Sequence, residues 1–576
     1  MAEMRMFAND ALGVSYLMVL LPRVLAAPHG PGCHYFPGDR EWPSLQQWQH
    51  FNLSIEGNLI AGRPLADVCH GTTYDKGKCV ALQANWTNPP SYFVDPINIM
   101  APYWLNNSCS PFTSQNASCT LGNIASYAIN VSSVEDVQAG LNFAQEYNIR
   151  IQVKNTGHDF LGRSTGAGSL ALWTHNLKDI NFFNYSSPGY NGSAVKLGAG
   201  VQAFDVYQEA ADNGLRVSGF CPTVGLAGGY VQSGGHGALE GVYGLAADNT
   251  LEFEVVTPDG RYLVASTTEN QDLYWALNGG GGGTYAVVIS QTTKAHPDGI
   301  VAGASLTFQN NGDNGTYWAA VEAWHKWLLV WDDLPGISNY FGITSDIFTL
   351  YSAALPDQPE SAVAAQFDPF IQDLEELNLT YTYETNEQPT YYDHFAYYTP
   401  DLPYGDYLTN STIGGRLIAR DTVRDNISGL IDAYRNITAL PGYRINGIAA
   451  NVTHARVGNT PESNAVVPAW RDALYSANMD VYVAPTFPLD ILLEHQAHMN
   501  HNQDLLRSIT PNGGTYLNEA TFDNPTWKAD YFGSNYPRLL EIKKKYDPKF
   551  VLYGPASVGS EHWKVTSDGR LCPAGA

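Results

Sequence analysis

Residues 149–164 read Ile149-Arg150-Ile151-Gln152-Val153, then Lys154-Asn155-Thr156-Gly157-His158-Asp159-Phe160-Leu161-Gly162-Arg163-Ser164. The first five alternate apolar and polar, which predicts a strand with one buried face. The strand opens into a glycine-containing loop, Asn155–Asp159, with His158 directly after Gly157. Consecutive backbone N–H groups in such a loop can point into one concavity and hold a pyrophosphate.

The sequence around this stretch has the same mixed character. Upstream, Ser132-Ser133-Val134-Glu135-Asp136-Val137 offers an N-cap and an acidic first turn for a helix reaching about Tyr147. Downstream, Ala194–Val201 reads as a strand and Phe204–Asn213 as a helix closed by Gly214. A glycine-rich tract covers Gly219–Gly244. Leu251–Thr257 and Arg261–Ala265 flank an Asp259-Gly260 turn and predict a hairpin. Asp272–Leu277 reads as a short helix before five consecutive glycines, Gly279–Gly283, and the strand Ala286–Ile289. Strands and helices mix without regular β-α-β spacing, so the fold class is α+β and not a doubly wound sheet. Further on, Tyr317–Trp331, Asp421–Tyr434 and Tyr531–Tyr546 read as helices, and Ile337–Ile343 and Met479–Ala484 as strands.

Several chemistries are excluded by what the glycines do not spell. There is no G-x-x-x-x-G-K-[ST] and no G-x-G-x-x-G, hence neither a P-loop nor a Rossmann turn. Neither a G-x-S-x-G elbow nor an H-E-x-x-H pair occurs. Glu494-His495 with His498 and His501 has helical spacing but no matching acidic or cysteine partner, so no metal is expected. A net charge of -25 argues against nucleic acid and anionic membranes as partners.

Seven cysteines give an odd count. Cys69 and Cys79, and Cys109 and Cys119, form two close pairs of equal spacing and predict two disulfides. Cys33 and Cys572 then pair by elimination, tying the chain ends together. Cys221 is left over, alone in the middle of the chain, and calls for another use. It lies in a glycine-rich tract, as His158 does. Both side chains are nucleophiles that an electrophilic isoalloxazine ring can alkylate.

Disulfides indicate an oxidising compartment. An apolar run over Ala11–Leu21, followed by small residues at Ala26 and Ala27, reads as a signal peptide of residues 1–27. Thirteen N-x-[ST] sequons, from Asn52 to Asn451, agree with secretion or delivery to a vacuole or vesicle.

Together these residues resemble the vanillyl-alcohol-oxidase type of FAD-linked oxidases, in the berberine-bridge-enzyme-like branch found among secreted fungal oxidases. The resemblance is carried by Lys154–Ser164, Gly219-Phe220-Cys221-Pro222-Thr223-Val224-Gly225, Gly228-Gly229 through Ser233-Gly234-Gly235-His236-Gly237, Tyr243–Asn249, Asp272–Leu277 with the Gly279–Gly283 run, Tyr516-Leu517-Asn518-Glu519-Ala520 and Tyr531–Leu539. It implies a PCMH-type FAD domain over 120–299, after a disulfide-stapled extension over 28–119. A substrate domain over 300–505, with a large antiparallel sheet covered by helices, follows. A tail, 506–576, returns to the FAD domain.

The resemblance further implies FAD held covalently, 8α-histidyl through His158 and 6-S-cysteinyl through Cys221. Asn155, Thr156, Gly157, Asp159, Gly225, Gly228, Gly229, Gly234, Gly235, His236 and Gly237 are expected around it. The implied reaction is hydride transfer from an alcohol or related carbon of a small organic, secondary-metabolite-like substrate, with O2 as acceptor. Tyr516 is the first candidate for the proton acceptor, with Tyr475 and Asp480 behind it. Relatives often carry tyrosine where this chain has Phe160, so a paired-tyrosine mechanism is not expected. A carbohydrate oxidase and a non-catalytic flavin-bearing binding protein are the competing readings.

Overall fold

The structure is a computed structural model that describes residues 32–105, 108–405 and 410–575. The signal-peptide reading lies outside the described residues. The cysteine-rich segment is less loop-like than its composition predicts. Its helix Leu45–Ser54 is capped by Ser44, and its strand Leu59–Ala61 pairs antiparallel with Tyr127–Asn130. Tyr127–Asn130 then runs parallel to Leu170–Trp173, which runs parallel to Ile151–Lys154. The segment thus supplies an edge strand to the four-stranded sheet from which the His158 loop emerges. Helix Val134–Glu146, capped by Ser133, covers that sheet with Val137, Leu141 and Ala144.

A second, five-stranded antiparallel sheet has the order Ile180–Ser187, Tyr190–Gly198, Val287–Lys294, Thr250–Val256, Tyr262–Ser266. The hairpin across Asp259-Gly260 is its outer edge. A third sheet has seven antiparallel strands, in the order Tyr381–Gln388, Val301–Gln309, Ile347–Pro356, Ser338–Ile343, Tyr443–Ala450, Ala473–Tyr482, Ser411–Ala419. One face packs under helices Asn314–Asp332, Glu360–Glu376, Ile427–Thr438 and Leu489–Ile509 around Trp324, Phe341, Phe348, Phe367 and Tyr434. The opposite face turns towards the loops of the first two sheets. This is the α+β architecture expected.

Two predicted helices are each broken in two. Arg420–Asp425 ends at Asn426, whose extended φ of -143° starts the next helix, Ile427–Thr438. Trp527–Phe532 ends at Gly533, in a positive-φ conformation that favours glycine, before Tyr536–Tyr546 begins.

All three predicted disulfides form, Cys33–Cys572, Cys69–Cys79 and Cys109–Cys119, and Cys221 is the free thiol. The tail docks on the first two sheets. Lys543 is buried and donates to Asp547 at 2.6 Å, to the Thr284 carbonyl at 2.6 Å and to the Leu552 carbonyl at 2.7 Å. Between the first two sheets and the seven-stranded sheet lies Asp248, its side chain fully buried. Its carboxylate accepts from both terminal nitrogens of Arg471 (2.8 and 3.0 Å), from Asn459 and Asn464 (2.6 and 2.7 Å) and from the Leu245 N–H (2.9 Å). No helix among the described residues is long and apolar enough to cross a membrane. Among them no group of three or more His, Cys, Asp or Glu could hold a metal ion.

Candidate active site

Where strand Ile151–Lys154 ends, Gly157 takes a φ of +92° and throws His158 out of the loop. His158 Nε2 lies 2.9 Å from Thr223 Oγ1. Thr223 is two residues from Cys221, so this contact ties the histidine loop to the cysteine loop. Both side chains face one cavity of about 260 Å³. A neighbouring cavity, at Tyr103 and Phe522, holds only about 10 Å³ and shares Phe160 and Ile413 with the first.

Two sides of the large cavity are chemically different. One side is glycine and buried amide. Gly225 and Gly228 leave room for the Asn155 side chain, which a Cβ at either would meet at 2.7–2.8 Å. Asn155 Nδ2 donates to the Ala199 carbonyl, while its Oδ1 is buried without a partner. Gln232 Oε1 is likewise buried and unpartnered. At Gly282 a Cβ would come within 3.0 Å of Gly229 Cα, so these glycines let two backbone segments pass close together. Arg163, partly buried, reaches the same side and donates to the hydroxyls of Ser557 (2.9 Å) and Thr284 (3.1 Å). Burial lowers its pKa to about 10, still fully charged at neutral pH. The Arg163 cation and the glycine cradle offer donors to an FAD diphosphate, and the unmet buried acceptors suit N–H groups at its polar ring edges. These residues fit the cofactor.

The other side comes from the seven-stranded sheet and the tail. Asn446 and Asn478 are register partners on adjacent strands, and both line the cavity with Tyr340, Ile413 and Ile448. Asn478 Oδ1 is buried without a partner. Tyr516, Asn518 and Glu519 close the space from the tail.

Electrostatics separate the two nucleophiles. Burial, reinforced by the nearby Lys154 ammonium, pushes the His158 imidazole down to about 3. It is neutral, and therefore nucleophilic, at any physiological pH. Burial and the Glu519 carboxylate push the Cys221 thiol up to about 12. His236 Nε2 donates to Glu519 Oε1 at 2.9 Å. Burial alone would lower His236, but the Glu519 carboxylate outweighs it and raises its pKa. Tyr516 accepts from Asn518 Nδ2 at 2.8 Å and stacks edge-on against His236 at 4.8 Å. Burial, with the Glu519 charge, raises its phenol well above the ordinary value.

Glu240 sits behind His236, 2% exposed, and burial raises its carboxyl to about 8. A carboxyl raised on folding stays protonated in the native chain while the unfolded chain ionises. Its contribution to stability is therefore lost as pH climbs from about 4.5 to about 8. Glu240→Gln is expected to flatten that slope and to be the more stable protein at pH 8. Urea unfolding at pH 5 and pH 8 reads it, and equal slopes in both proteins would refute it.

The expected site residues divide clearly. His158, Cys221, Asn155, Thr156, Gly157, Asp159, Gly225, Gly228, Gly229, His236 and Tyr516 all line the cavity. Gly234, Gly235 and Gly237 lie behind it and shape the His236 turn, where a Cβ on Gly237 would strike the Gly219 carbonyl at 2.0 Å. Tyr475 belongs elsewhere. Alternate residues of strand Ala473–Tyr482 face opposite ways, and Tyr475 points to the helical layer, bonded to Tyr434 at 2.6 Å. As a proton acceptor it is corrected by this geometry. Asp480 has the cavity-facing parity of Asn478, yet both its oxygens are held by Arg444 at 2.7 Å and one also by Asn446. It supports Asn446 from behind and does not line the cavity. Arg163, Gln232, Tyr340, Asn446, Asn478 and Glu519 were not singled out from sequence. Arg163, Gln232 and Glu519 lie inside the motif stretches already quoted, which was the available signal. The other three carried none.

Two family models match the chain. One is described as "FAD binding domain" and covers residues 125–266; the other, "Berberine and berberine like", covers 515–559. The VAO-type flavoprotein oxidase VAO615 of Thermothelomyces thermophilus is 42% identical over 95% of this chain and 96% of its own length. The crystal structure of the VAO-type flavoprotein MtVAO615 from Myceliophthora thermophila C1 superposes with a TM-score of 0.90 at 41% identity. It covers 94% of this chain and 100% of that one. Glucooligosaccharide oxidase from Acremonium strictum, described with a 6-S-cysteinyl, 8α-N1-histidyl FAD, shares the fold. Its TM-score is 0.61 at 20% identity, over 76% of this chain and 92% of that chain.

Proposed function

Because this chain belongs to the FAD-linked oxidoreductases of the vanillyl-alcohol-oxidase, berberine-bridge-like type, we propose that it bears a bicovalent FAD and oxidises an alcohol carbon of a small organic molecule. The observation that carries this reading is the meeting of His158 and Cys221 in one cavity, linked through Thr223. His158 would hold the 8α position and Cys221 the C6 position of the ring. The double attachment named for the Acremonium oxidase supports the assignment by fold alone.

When bound, FAD supplies the hydride acceptor and passes the electrons on to O2, giving hydrogen peroxide. The chain's own residues supply position and polarity. Arg163 and the Gly282-Gly283 backbone would neutralise the diphosphate, and Asn155 and Gln232 would meet polar ring edges. Asn446 and Asn478 offer amides to a substrate hydroxyl, while Phe160, Ile413 and Ile448 exclude water from the reacting carbon. With two bonds holding the ring, the site can stay open to bulky substrates without losing its cofactor.

Apolar and aromatic walls interrupted by a few amides favour a secondary-metabolite-like alcohol over an oligosaccharide, which needs a hydroxyl-rich lining. Export through the secretory pathway agrees with the three disulfides. A panel of secondary and aromatic alcohols, set beside cello- and xylo-oligosaccharides, tests the reading through peroxide release. Turnover confined to the saccharides would reverse the substrate assignment. A flavin that no member of the panel reduces anaerobically would leave a non-catalytic flavin carrier.

A further inference from the structure

We propose that Glu519 is the group that takes the substrate's hydroxyl proton, with His236 as its positioning residue. The inference rests on the bicovalent reading above and deepens it.

Glu519 has the geometry of a prepared acceptor. Its Oε1 is engaged by His236 Nε2 at 2.9 Å, while Oε2 is buried and has no hydrogen-bond partner. The side chain lines the cavity. Its backbone is fixed. The Glu519 N–H closes a 3-10 turn on the Tyr516 carbonyl at 2.9 Å, and a Cβ on Gly415 would meet the Glu519 carbonyl at 2.6 Å. Little slack remains between the turn and strand Ser411–Ala419. The imidazole is fixed as well, edge-on to Phe220 at 4.9 Å and to Tyr516 at 4.8 Å.

Place follows from ring chemistry. The C6 carbon that would carry the Cys221 sulfur is peri to N5, the atom that receives hydride. Glu519 is close enough to Cys221 for its charge to raise the thiol pKa. Glu519 and Cys221 line the same cavity, so a ring bonded at C6 to Cys221 would present its N5 region to the cavity that Glu519 also lines. The alternatives are occupied. The Tyr516 hydroxyl accepts from Asn518 and is held as a phenol. Asp480 is spent on Arg444 and Asn446, and Tyr475 faces the helices.

The step balances as follows. The substrate O–H proton goes to Glu519 Oε2, and the carbinol C–H bond breaks with its electron pair leaving for FAD. The C–O bond becomes C=O, and a carbonyl product departs. O2, the co-reactant of the oxidase reading, takes two electrons and two protons as hydrogen peroxide. One of those protons is the one Glu519 collected.

Flavin-loaded full-length Glu519→Gln tests this. A negative charge beside the ring disfavours reduction, so its removal should raise the flavin midpoint potential, measured against a reference dye. The expected change is at least tenfold in the two-electron equilibrium, about 30 mV. Anaerobic reduction by the alcohol that best reduces the wild type should slow by about 10²-fold or more. Glu519→Asp should recover part of that rate, and His236→Gln should show intermediate slowing with the cofactor still attached. A potential equal to wild type, or a wild-type reduction rate in Glu519→Gln, overturns the assignment. Should Glu519→Gln not fold, the reduction rates of Glu519→Asp and His236→Gln decide the assignment, and wild-type rates in both overturn it. FAD released by acid from the wild type would instead refute the covalent reading. A wild type that no alcohol reduces would refute the substrate reading, and the potential would still decide Glu519.

Discussion

Acid-denatured His158→Ala/Cys221→Ala protein gives up all of its FAD, while each single variant keeps some of it bound. That result follows from two nucleophiles on two loops meeting in one cavity, and it extends to their order of reaction. His158 is neutral at every physiological pH because burial pushes its imidazole down to about 3. Cys221 attacks only as thiolate, and burial pushes that thiol up to about 12. The histidine bond should therefore form readily by itself. Cys221→Ala is expected to retain nearly full covalent loading, and His158→Ala only a minor fraction. In-gel flavin fluorescence and the absorbance of the acid supernatant measure both. Colour persisting in the denatured double variant, or equal loading of the two singles, would contradict the scheme.

Asp248→Ala should be the most destabilising single change at the junction between the two domains. The carboxylate is fully buried and is the shared acceptor for Arg471, Asn459, Asn464 and the Leu245 N–H. Removing it leaves a guanidinium that is 93% enclosed without its counter-ion, a loss of about 3–5 kcal/mol. Asp248→Asn keeps the shape and some acceptors, and should lose less. A lowered urea midpoint, with flavin absorbance and tryptophan emission changing at different urea concentrations, would show the domains parting. A loss below about 1 kcal/mol would mean that Arg471 finds another partner.

What the sequence made legible follows from where the determining forces are local. The strand into the His158 loop, the Ser133-capped helix and the Asp259-Gly260 hairpin are set by alternation, caps and turn residues, and all three form where expected. Disulfide parity isolated Cys221 because pairing is arithmetic. Tyr475 could not be placed from the same kind of reading. Its neighbours alternate correctly for a strand, but which face meets the cavity depends on partner strands some thirty and sixty residues away, Tyr443–Ala450 and Ser411–Ala419. Glu519 and His236 are separated by 283 positions, and nothing short of the fold brings them together. The strand Leu59–Ala61 is three residues long in a segment rich in proline and cysteine, too short to register as periodic.

The tail's docking has a consequence for biosynthesis. Tyr516 and Glu519 complete the cavity, Ser557 steadies Arg163, Lys543 braces Thr284, and Cys572 closes on Cys33. Tyr516, Glu519, Lys543, Ser557 and Cys572 leave the ribosome after the sheets they complete. The pocket is thus unfinished until these residues have emerged, and cofactor capture is expected to follow their emergence. An excised 120–299 fragment would be an incomplete vessel, however well its sheets formed.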